Sequence, residues 1–163
     1  MKRAISLCLI DVVLFLLTAC TLREQLPENV AKLDSGTVEI KDYRLAEDRD
    51  GNAVVIITYA FAYTDEEYTN SFCGTVYHQV FQNGIGLIEC EEEDVSESAD
   101  YDEDDQYKDL KAGVELDVEI AYALENTTDD IEVEVSDYYS LGTYPLFPWM
   151  KDKDTATKTF SIA

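Results

Sequence analysis

Few residues of this chain could carry out nucleophilic chemistry. His78 is the only histidine, and Cys73 lies five positions before it. A Cys–His catalytic pair needs hydrogen-bond contact between the two side chains. Both residues fall in one predicted strand, where successive side chains alternate between faces, so they should point to opposite faces. The spacing therefore predicts no catalytic pair.

The sequence is also poor in metal ligands. Zinc sites combine several Cys and His side chains at short spacings, whereas this chain has no second histidine and a long stretch between Cys73 and Cys90. It also lacks GxSxG, HExxH and glycine-rich phosphate-loop motifs. We therefore predict that the protein is not an enzyme and has no catalytic, cofactor-binding or metal residues. The alternative is an enzyme, or an enzyme accessory, with an unrecognised site.

The densest group of carboxylates suggests calcium, which prefers several oxygen ligands. Residues 89–109 contain twelve acidic side chains. Three of them have the first spacings of an EF-hand loop: Asp100, Asp102 and Asp104. However, Asp105 stands where that loop needs glycine, and Lys111 stands where it needs a bidentate glutamate. We predict a solvated acidic loop over residues 91–109, whose deletion should barely change stability, with a weak calcium-binding surface as the alternative.

The amino terminus has the pattern of an export signal. Lys2 and Arg3 precede an apolar stretch, residues 4–17, that is too short for a comfortable membrane span. The segment Leu17-Thr18-Ala19-Cys20 then resembles a bacterial lipobox, in which small residues fit the signal peptidase and the thiol accepts a diacylglyceryl group. We predict a lipoprotein signal peptide over residues 1–19 and lipid attachment at Cys20. An ordinary secretory signal or an uncleaved anchor is the alternative.

Two cysteines remain for the exported domain, because Cys8 leaves with the signal peptide. Disulfides persist outside the cytoplasm, so Cys73 and Cys90 are a candidate disulfide. A regular hairpin around Asn83-Gly84 opposes this bond, since it places Cys73 about 13 Å along the strand from the partner of Cys90. A break in the pairing or a bulge would remove the obstacle, so both outcomes stay open.

The formal net charge of −23 limits the partners. Nucleic-acid binding depends on Lys and Arg that neutralise phosphates, so nucleic acid is excluded as a partner. Adsorption to anionic lipid headgroups is disfavoured as well, so the membrane contact must be the covalent lipid on Cys20. Cations and basic partners are the ligands that such a field attracts, although solubility alone would also explain the charge.

Beyond the signal peptide the pattern is that of β-structure. We predict a tether over residues 20–35, which contains Pro27 and lacks alternation, and a domain over residues 36–163. About seven strands follow one another, separated by turn signals. They span residues 37–46 with a bulge near Lys41 or Asp42, 53–63, 71–82, 85–90, 114–124, 131–136 and 155–162. The strand at 53–63 is apolar on both faces and should be covered on both sides. This order predicts an all-β, antiparallel sandwich.

An aromatic segment, residues 138–149, carries two prolines and precedes the last predicted strand. Exposed, its Tyr, Phe and Trp side chains would form an adhesive or glycan-stacking patch. Buried, they would close one end of the sandwich, which we favour.

Three phrases resemble the bacterial lipoproteins grouped as domain of unknown function 5067. They are Asp48-Arg49-Asp50-Gly51 before a VVIITYAF strand, Val80-Phe81-Gln82-Asn83-Gly84-Ile85, and Lys111-Ala112-Gly113 before an alternating strand. The resemblance covers most of residues 36–140, and FQNG is its most specific phrase. It implies an immunoglobulin-like sandwich on secreted or lipid-anchored proteins, mainly of Gram-positive bacteria, with no established activity and no catalytic residues.

Together these observations predict a lipid-anchored, extracytoplasmic immunoglobulin-like domain at the cell membrane. Its expected function is a binding or interaction module for an envelope protein, a glycan or a cation. A binding module should expose an aromatic or charged patch, whereas an enzyme should gather polar groups in a cleft.

Overall fold

The computed structural model describes residues 26–138 and 155–162. Nine strands and three short helices make up this part of the chain. In order they are β1 (Val30–Leu33), β2 (Gly36–Glu47), β3 (Ala53–Tyr63), α1 (Phe72–Thr75), β4 (Val76–Gln82), β5 (Ile85–Gly86), β6 (Glu89–Cys90), the 3₁₀ helices η1 (Glu97–Ala99) and η2 (Asp104–Tyr107), β7 (Glu115–Ala123), β8 (Ile131–Asp137) and β9 (Thr155–Phe160).

The strands form two antiparallel sheets. The five-stranded sheet has the order β1-β2-β3-β7-β6, and the four-stranded sheet has the order β5-β4-β8-β9. The main core lies between them, where inward-facing side chains of β3 and β7 meet those of β4 and β8. The predicted all-β, antiparallel sandwich is confirmed, and β9 forms where the last strand was expected.

Strand β3 shows how the residue pattern produces a central strand that is buried on both faces. Its β-branched and aromatic residues favour extended backbone, and its side chains are buried on both faces. Those on the inner face join the main core: Val55, Ile57, Tyr59, Phe61 and Tyr63. On the outer face, Val54 and Ile56 enter a second cluster. The expected bulge is also present, because the β2–β3 register shifts between Ile40 and Asp42.

The hairpin after β4 matches the prediction at its turn but not in its second strand. Asn83 and Gly84 have φ values of 53° and 74°, as a type I′ turn requires. Only Ile85 and Gly86 then pair with β4. The chain crosses to the other sheet, where Cys90 pairs with Ala121 of β7. The single strand predicted over residues 85–90 was therefore wrong.

A second correction concerns the start of β4. Residues 72–75 form a helical turn instead of the first half of a long strand. Ser71 caps this turn, since its hydroxyl accepts a hydrogen bond from the Gly74 amide at 3.2 Å. A local side-chain bond of this kind stabilises a helix start and competes with the strand ladder.

The predicted tether is too long at its carboxyl end. Strand β1 pairs with β2 from Val30 to Leu33, and the side chains of Ala31 and Leu33 are buried in the core. Two alternate apolar side chains are enough to dock a short edge strand, although they are too few to produce a visible period in the sequence.

The acidic loop, residues 91–109, also differs from the prediction. It is ordered and packs on the outer face of the five-stranded sheet, where Val95 and Tyr101 are buried against Val54, Ile56 and Ala121. The expectation of a purely solvated loop was wrong, because Val95 and Tyr101 supply apolar side chains that dock on the sheet. This loop is the cover that the apolar outer face of β3 required.

Most of the aromatic segment, residues 139–149, lies outside the described residues, as do Cys20 and the signal peptide. Tyr138, which is described, is half exposed. No helix in the described part is long and apolar enough to cross a membrane.

Candidate functional site

His78 lies on the inner face of β4, between the two sheets. Its neighbours at the inward positions of that strand are Val76 and Val80, which are buried. The imidazole packs 5.6 Å from the ring of Phe72 and 6.0 Å from the ring of Tyr59. Its Nδ1 atom lies 2.5 Å from the hydroxyl of Tyr122. A hydrogen-bonded polar group thus sits in an aromatic core.

Burial sets the charge state of this group. Removal from water lowers the pKa of His78 to about 4, and it raises the pKa of Tyr122 well above its ordinary value. Burial likewise raises the pKa of Tyr59, whose hydroxyl lies 3.4 Å from that of Tyr122. At neutral pH the hydrogen bond joins a neutral imidazole to a neutral phenol. Such a bond satisfies two buried polar groups and connects the sheets.

The structure does not bring His78 and Cys73 together as a reactive pair. In the described part of the chain, the contacts of His78 are with Phe72, Tyr59 and Tyr122. Cys73 is exposed in α1. A thiol without a neighbouring base lacks the activation that nucleophilic catalysis requires.

The second cysteine, Cys90, lies in β6 beside β7. Burial raises the pKa of its thiol, and the nearby carboxylates of Asp94 and Asp48 raise it further. Cys73 and Cys90 are both free in the structure. The break in the hairpin, which was one route to a disulfide, instead carries Cys90 into the other sheet.

The acidic loop is fixed to the sheet by Arg44 of β2. Its guanidinium donates hydrogen bonds to the carbonyl oxygens of Ala99 at 2.5 Å and Asp100 at 3.3 Å. The same group pairs with Glu119 of β7 at 2.6 Å. Several donors in a fixed plane allow arginine to hold three acceptors together. Arg44 therefore joins the loop to two strands of the sheet.

Main-chain bonds extend this attachment. The Arg49 amide donates to the Asp94 carbonyl at 2.9 Å, and the Ser96 amide donates to the Glu47 carbonyl at 3.0 Å. The hydroxyl of Tyr101 lies 3.4 Å from the amide nitrogen of Ala121. The carboxylates of the loop thus project from a backbone with a defined position. We call this loop, together with the outer surface of β2, β3 and β7, the acidic face.

The EF-hand-like aspartates do not assemble a metal centre. Asp100 adopts a left-handed conformation with φ of 50° and ends η1. In residues 26–138 and 155–162, no three His, Cys, Asp or Glu side chains are arranged to hold a metal ion. The loop presents dispersed carboxylates on its surface.

Gln82 is an interior residue whose role the sequence did not reveal. It is almost fully buried at the end of β4. Its amide nitrogen donates to the carbonyls of Asn126 at 3.0 Å and Asp129 at 2.9 Å. Its amide oxygen accepts from the backbone nitrogens of Glu125 and Asn126, both at 3.1 Å. All four hydrogen-bonding positions are used to brace the β7–β8 loop. The sequence carries one signal for this role: Gln82, within the phrase FQNG, is a polar residue at an inward-facing position of a strand.

The architecture defines the class of this protein as an antiparallel, all-β sandwich with an acidic face. The chain belongs to the family described as domain of unknown function (DUF5067), whose profile matches residues 23–137. No curated protein sequence matches it.

Two solved structures share the fold. A candidate lipoprotein (ycdA) from Bacillus subtilis superposes with a TM-score of 0.56 and 14% identity, over 84% of this chain and 39% of the other. A candidate lipoprotein from Staphylococcus aureus superposes with a TM-score of 0.55 and 14% identity, over 85% of this chain and 91% of the other. The chain thus spans about two fifths of the Bacillus subtilis protein.

Proposed function

We propose that this protein is a lipid-anchored, extracytoplasmic binding module that recognises a basic partner protein at the bacterial envelope through its acidic face. The lipobox at Cys20 supports the anchor. The two proteins with the same fold are themselves described as candidate lipoproteins. Family membership is compatible with this role and assigns no activity.

The observation that carries the binding role is the ordered attachment of the acidic loop. A solvated acidic chain would lose conformational entropy when it met a partner. A loop already held by Tyr101, Val95 and Arg44 has lost much of that entropy during folding. Preorganised charges give affinity and orientation at a lower entropic cost, and like-signed charges accelerate the encounter with an oppositely charged partner.

The anchor is tested by labelling a bacterial host with a radioactive fatty acid. Cys20→Ala removes the sulfur that is acylated, so it should abolish the label and leave an uncleaved precursor or a released protein. Cys8→Ala is the matched control, because that cysteine leaves with the signal peptide. Label retained by the Cys20 variant would contradict the lipoprotein proposal.

The binding role is tested by calorimetric titration of the mature protein with decalysine. Glu92→Gln with Glu93→Gln removes two exposed loop carboxylates, and Glu66→Gln with Glu132→Gln removes two exposed carboxylates elsewhere. The two variants have equal net charge. We expect the dissociation constant for decalysine to be about tenfold larger for the loop variant and to change less than about twofold for the control. Equal losses in both variants would show attraction by net charge alone and would overturn the proposal.

A further inference from the structure

The edge of the four-stranded sheet that is formed by β4 and β5 carries no charge. Residues 68–88, which include α1, β4 and β5, contain no Asp, Glu, Lys or Arg, although the chain has 35 acidic and 12 basic residues. The other edge strands each carry a charged side chain: Lys32 in β1, Glu89 in β6 and Lys158 in β9. Charged side chains on an edge strand discourage pairing with another chain. The β4–β5 edge lacks this protection.

Much of β4 at this edge also lacks a neighbouring strand. Strand β5 pairs with Phe81 and Gln82 alone, and the Leu87 amide donates to the Val80 carbonyl at 2.8 Å. This bond shows that the main-chain carbonyl of Val80 points towards the edge. Because main-chain groups alternate in direction along a strand, the N–H and C=O of His78 point the same way. Among the described residues, no main-chain group bonds to His78 on this side.

Apolar side chains are exposed where the chain leaves this edge. Ile85 is 58% exposed and Ile88 is 77% exposed. On the outer face of β4, Tyr77 and Gln79 are half-buried and uncharged. The carboxylate that lies opposite Gln79, that of Glu134, is one strand further in, on β8. Exposed apolar side chains beside open main-chain groups are typical of an interaction surface.

These features fit a second copy of this chain. Two chains with a formal net charge of −23 repel each other, so they can approach closely only where the surface carries no charge. A basic partner would instead be attracted to the acidic face, which lies on the other sheet. An antiparallel strand edge is also complementary to itself across a two-fold axis, since the donors of each copy then meet the acceptors of the other.

We propose that two copies of this protein pair through the β4–β5 edge, antiparallel across a two-fold axis beside His78. The open N–H and C=O of His78 then bond to main-chain groups of the other copy, and the two four-stranded sheets become one. Ile88 of each copy packs against the other copy instead of facing water. Both acidic faces stay exposed, because they lie on the five-stranded sheets. The dimer is therefore independent of the proposed binding role.

Sedimentation equilibrium measures this pairing. Because small interfaces bind weakly, the mature chain is studied at concentrations up to about 0.5 mM. In this chain Cys20→Ser prevents lipid attachment, and a reducing agent prevents disulfides between exposed Cys73 side chains. The edge variant is Ile88→Glu, and the matched control is Val114→Glu, which also replaces an exposed apolar side chain with a carboxylate. The two variants have equal net charge.

We expect a wild-type dimer whose dissociation constant rises about tenfold in Ile88→Glu and less than about twofold in Val114→Glu. Added salt should lower the dissociation constant of the dimer, since it screens the repulsion between two acidic chains. Its effect on decalysine binding should have the opposite sign. Unchanged melting curves would show that both variants fold.

Amide hydrogen exchange, followed by NMR, locates the contact. The His78 amide is bonded only in the dimer, so its protection should grow with protein concentration. The Gln79 amide faces β8 and should keep its protection at every concentration. A monomer at all concentrations, equal dissociation constants for the two variants, or exchange at His78 that does not depend on concentration would overturn this inference. None of these outcomes affects decalysine binding, which tests the proposed function separately.

Discussion

The Nδ1 atom of His78 and the hydroxyl oxygen of Tyr122 lie 2.5 Å apart and join the two sheets of the sandwich. His78 belongs to β4 of the four-stranded sheet, and Tyr122 belongs to β7 of the five-stranded sheet. The rings of Tyr59 and Phe72 cover much of the imidazole, so this environment favours its neutral form. Protonation would place a charge in an aromatic core, where it is costly.

The first prediction is a pH dependence of stability that comes from His78. The folded-state pKa is about 4, below the ordinary value of 6.5. The unfolded chain therefore binds a proton between these values while the folded chain does not. Stability from this group is fully present above pH 6.5 and is lost as the pH falls to about 4. The loss should be roughly 3 kcal/mol, measured by urea unfolding across that range.

Two variants isolate this effect from the many carboxylates. His78→Phe removes the titrating group, so the difference in unfolding free energy between wild type and variant should shrink as the pH falls from 7 to 4. Tyr122→Phe keeps the buried imidazole and should keep a steep pH dependence. If the unfolding free energies of wild type and His78→Phe fell in parallel as the pH was lowered, the pH dependence could not be assigned to His78.

Much of the sandwich could be predicted from the sequence where one signal dominates. The β-branched run of β3 determines a central strand, and Asn83-Gly84 determines the turn because few residues adopt positive φ easily. Part of what was missed depends on tertiary contacts. Ile85 to Cys90 reads as one strand, yet its two ends pair with different sheets. No local pattern indicates which sheet a short strand joins.

The acidic face was only partly accessible to sequence reasoning. The apolar outer face of β3 showed that a cover was needed, and the carboxylates of residues 91–109 indicated a loop. Their connection depends on Val95, Tyr101 and Arg44, which are far apart in sequence and meet only in the folded protein. The pairing of Lys41 of β2 with Asp117 of β7 also depends on the strand order, which the sequence does not state.

The second prediction replaces the expectation that deleting the acidic loop would barely change stability. Tyr101 is 8% exposed and packs on the outer face of the sheet. Tyr101→Ala should destabilise the protein by roughly 3 kcal/mol, because it removes a buried aromatic ring. Tyr107→Ala is the control from the same loop: that ring is 56% exposed, and its loss should change stability by less than about 0.5 kcal/mol. Equal effects in denaturant unfolding would show that the loop is not docked.

The third prediction concerns the two thiols of the domain that follows the proposed lipid anchor, Cys73 and Cys90. Thiol counting under denaturing, non-reducing conditions should find two free groups, one each at Cys73 and Cys90. In the native protein, a disulfide-exchange reagent should modify Cys73 first, because Cys73 is exposed. Burial and neighbouring carboxylates keep the Cys90 thiol protonated and shielded. Mass spectrometry of each modified cysteine follows the order, and a count of zero free thiols would show that a disulfide had formed.

The last prediction tests the brace that Gln82 provides. Its amide donates two hydrogen bonds and accepts two, all with backbone groups of the β7–β8 loop. Gln82→Leu preserves the approximate size of the side chain but leaves four loop groups without this partner, so we expect a loss of roughly 3 kcal/mol. Gln82→Glu should also destabilise the protein at neutral pH, because a carboxylate cannot donate to two carbonyl oxygens.

Gln79→Leu is the control on the same strand. Gln79 is half-buried and accepts one hydrogen bond, from the Tyr77 hydroxyl at 3.2 Å, so this variant should lose less than about 1 kcal/mol of stability. Hydrogen exchange adds a local measurement, since the Glu125 and Asn126 amides should lose protection in both Gln82 variants and keep it in Gln79→Leu. Protection of these amides in Gln82→Leu would show that the loop is held by other contacts.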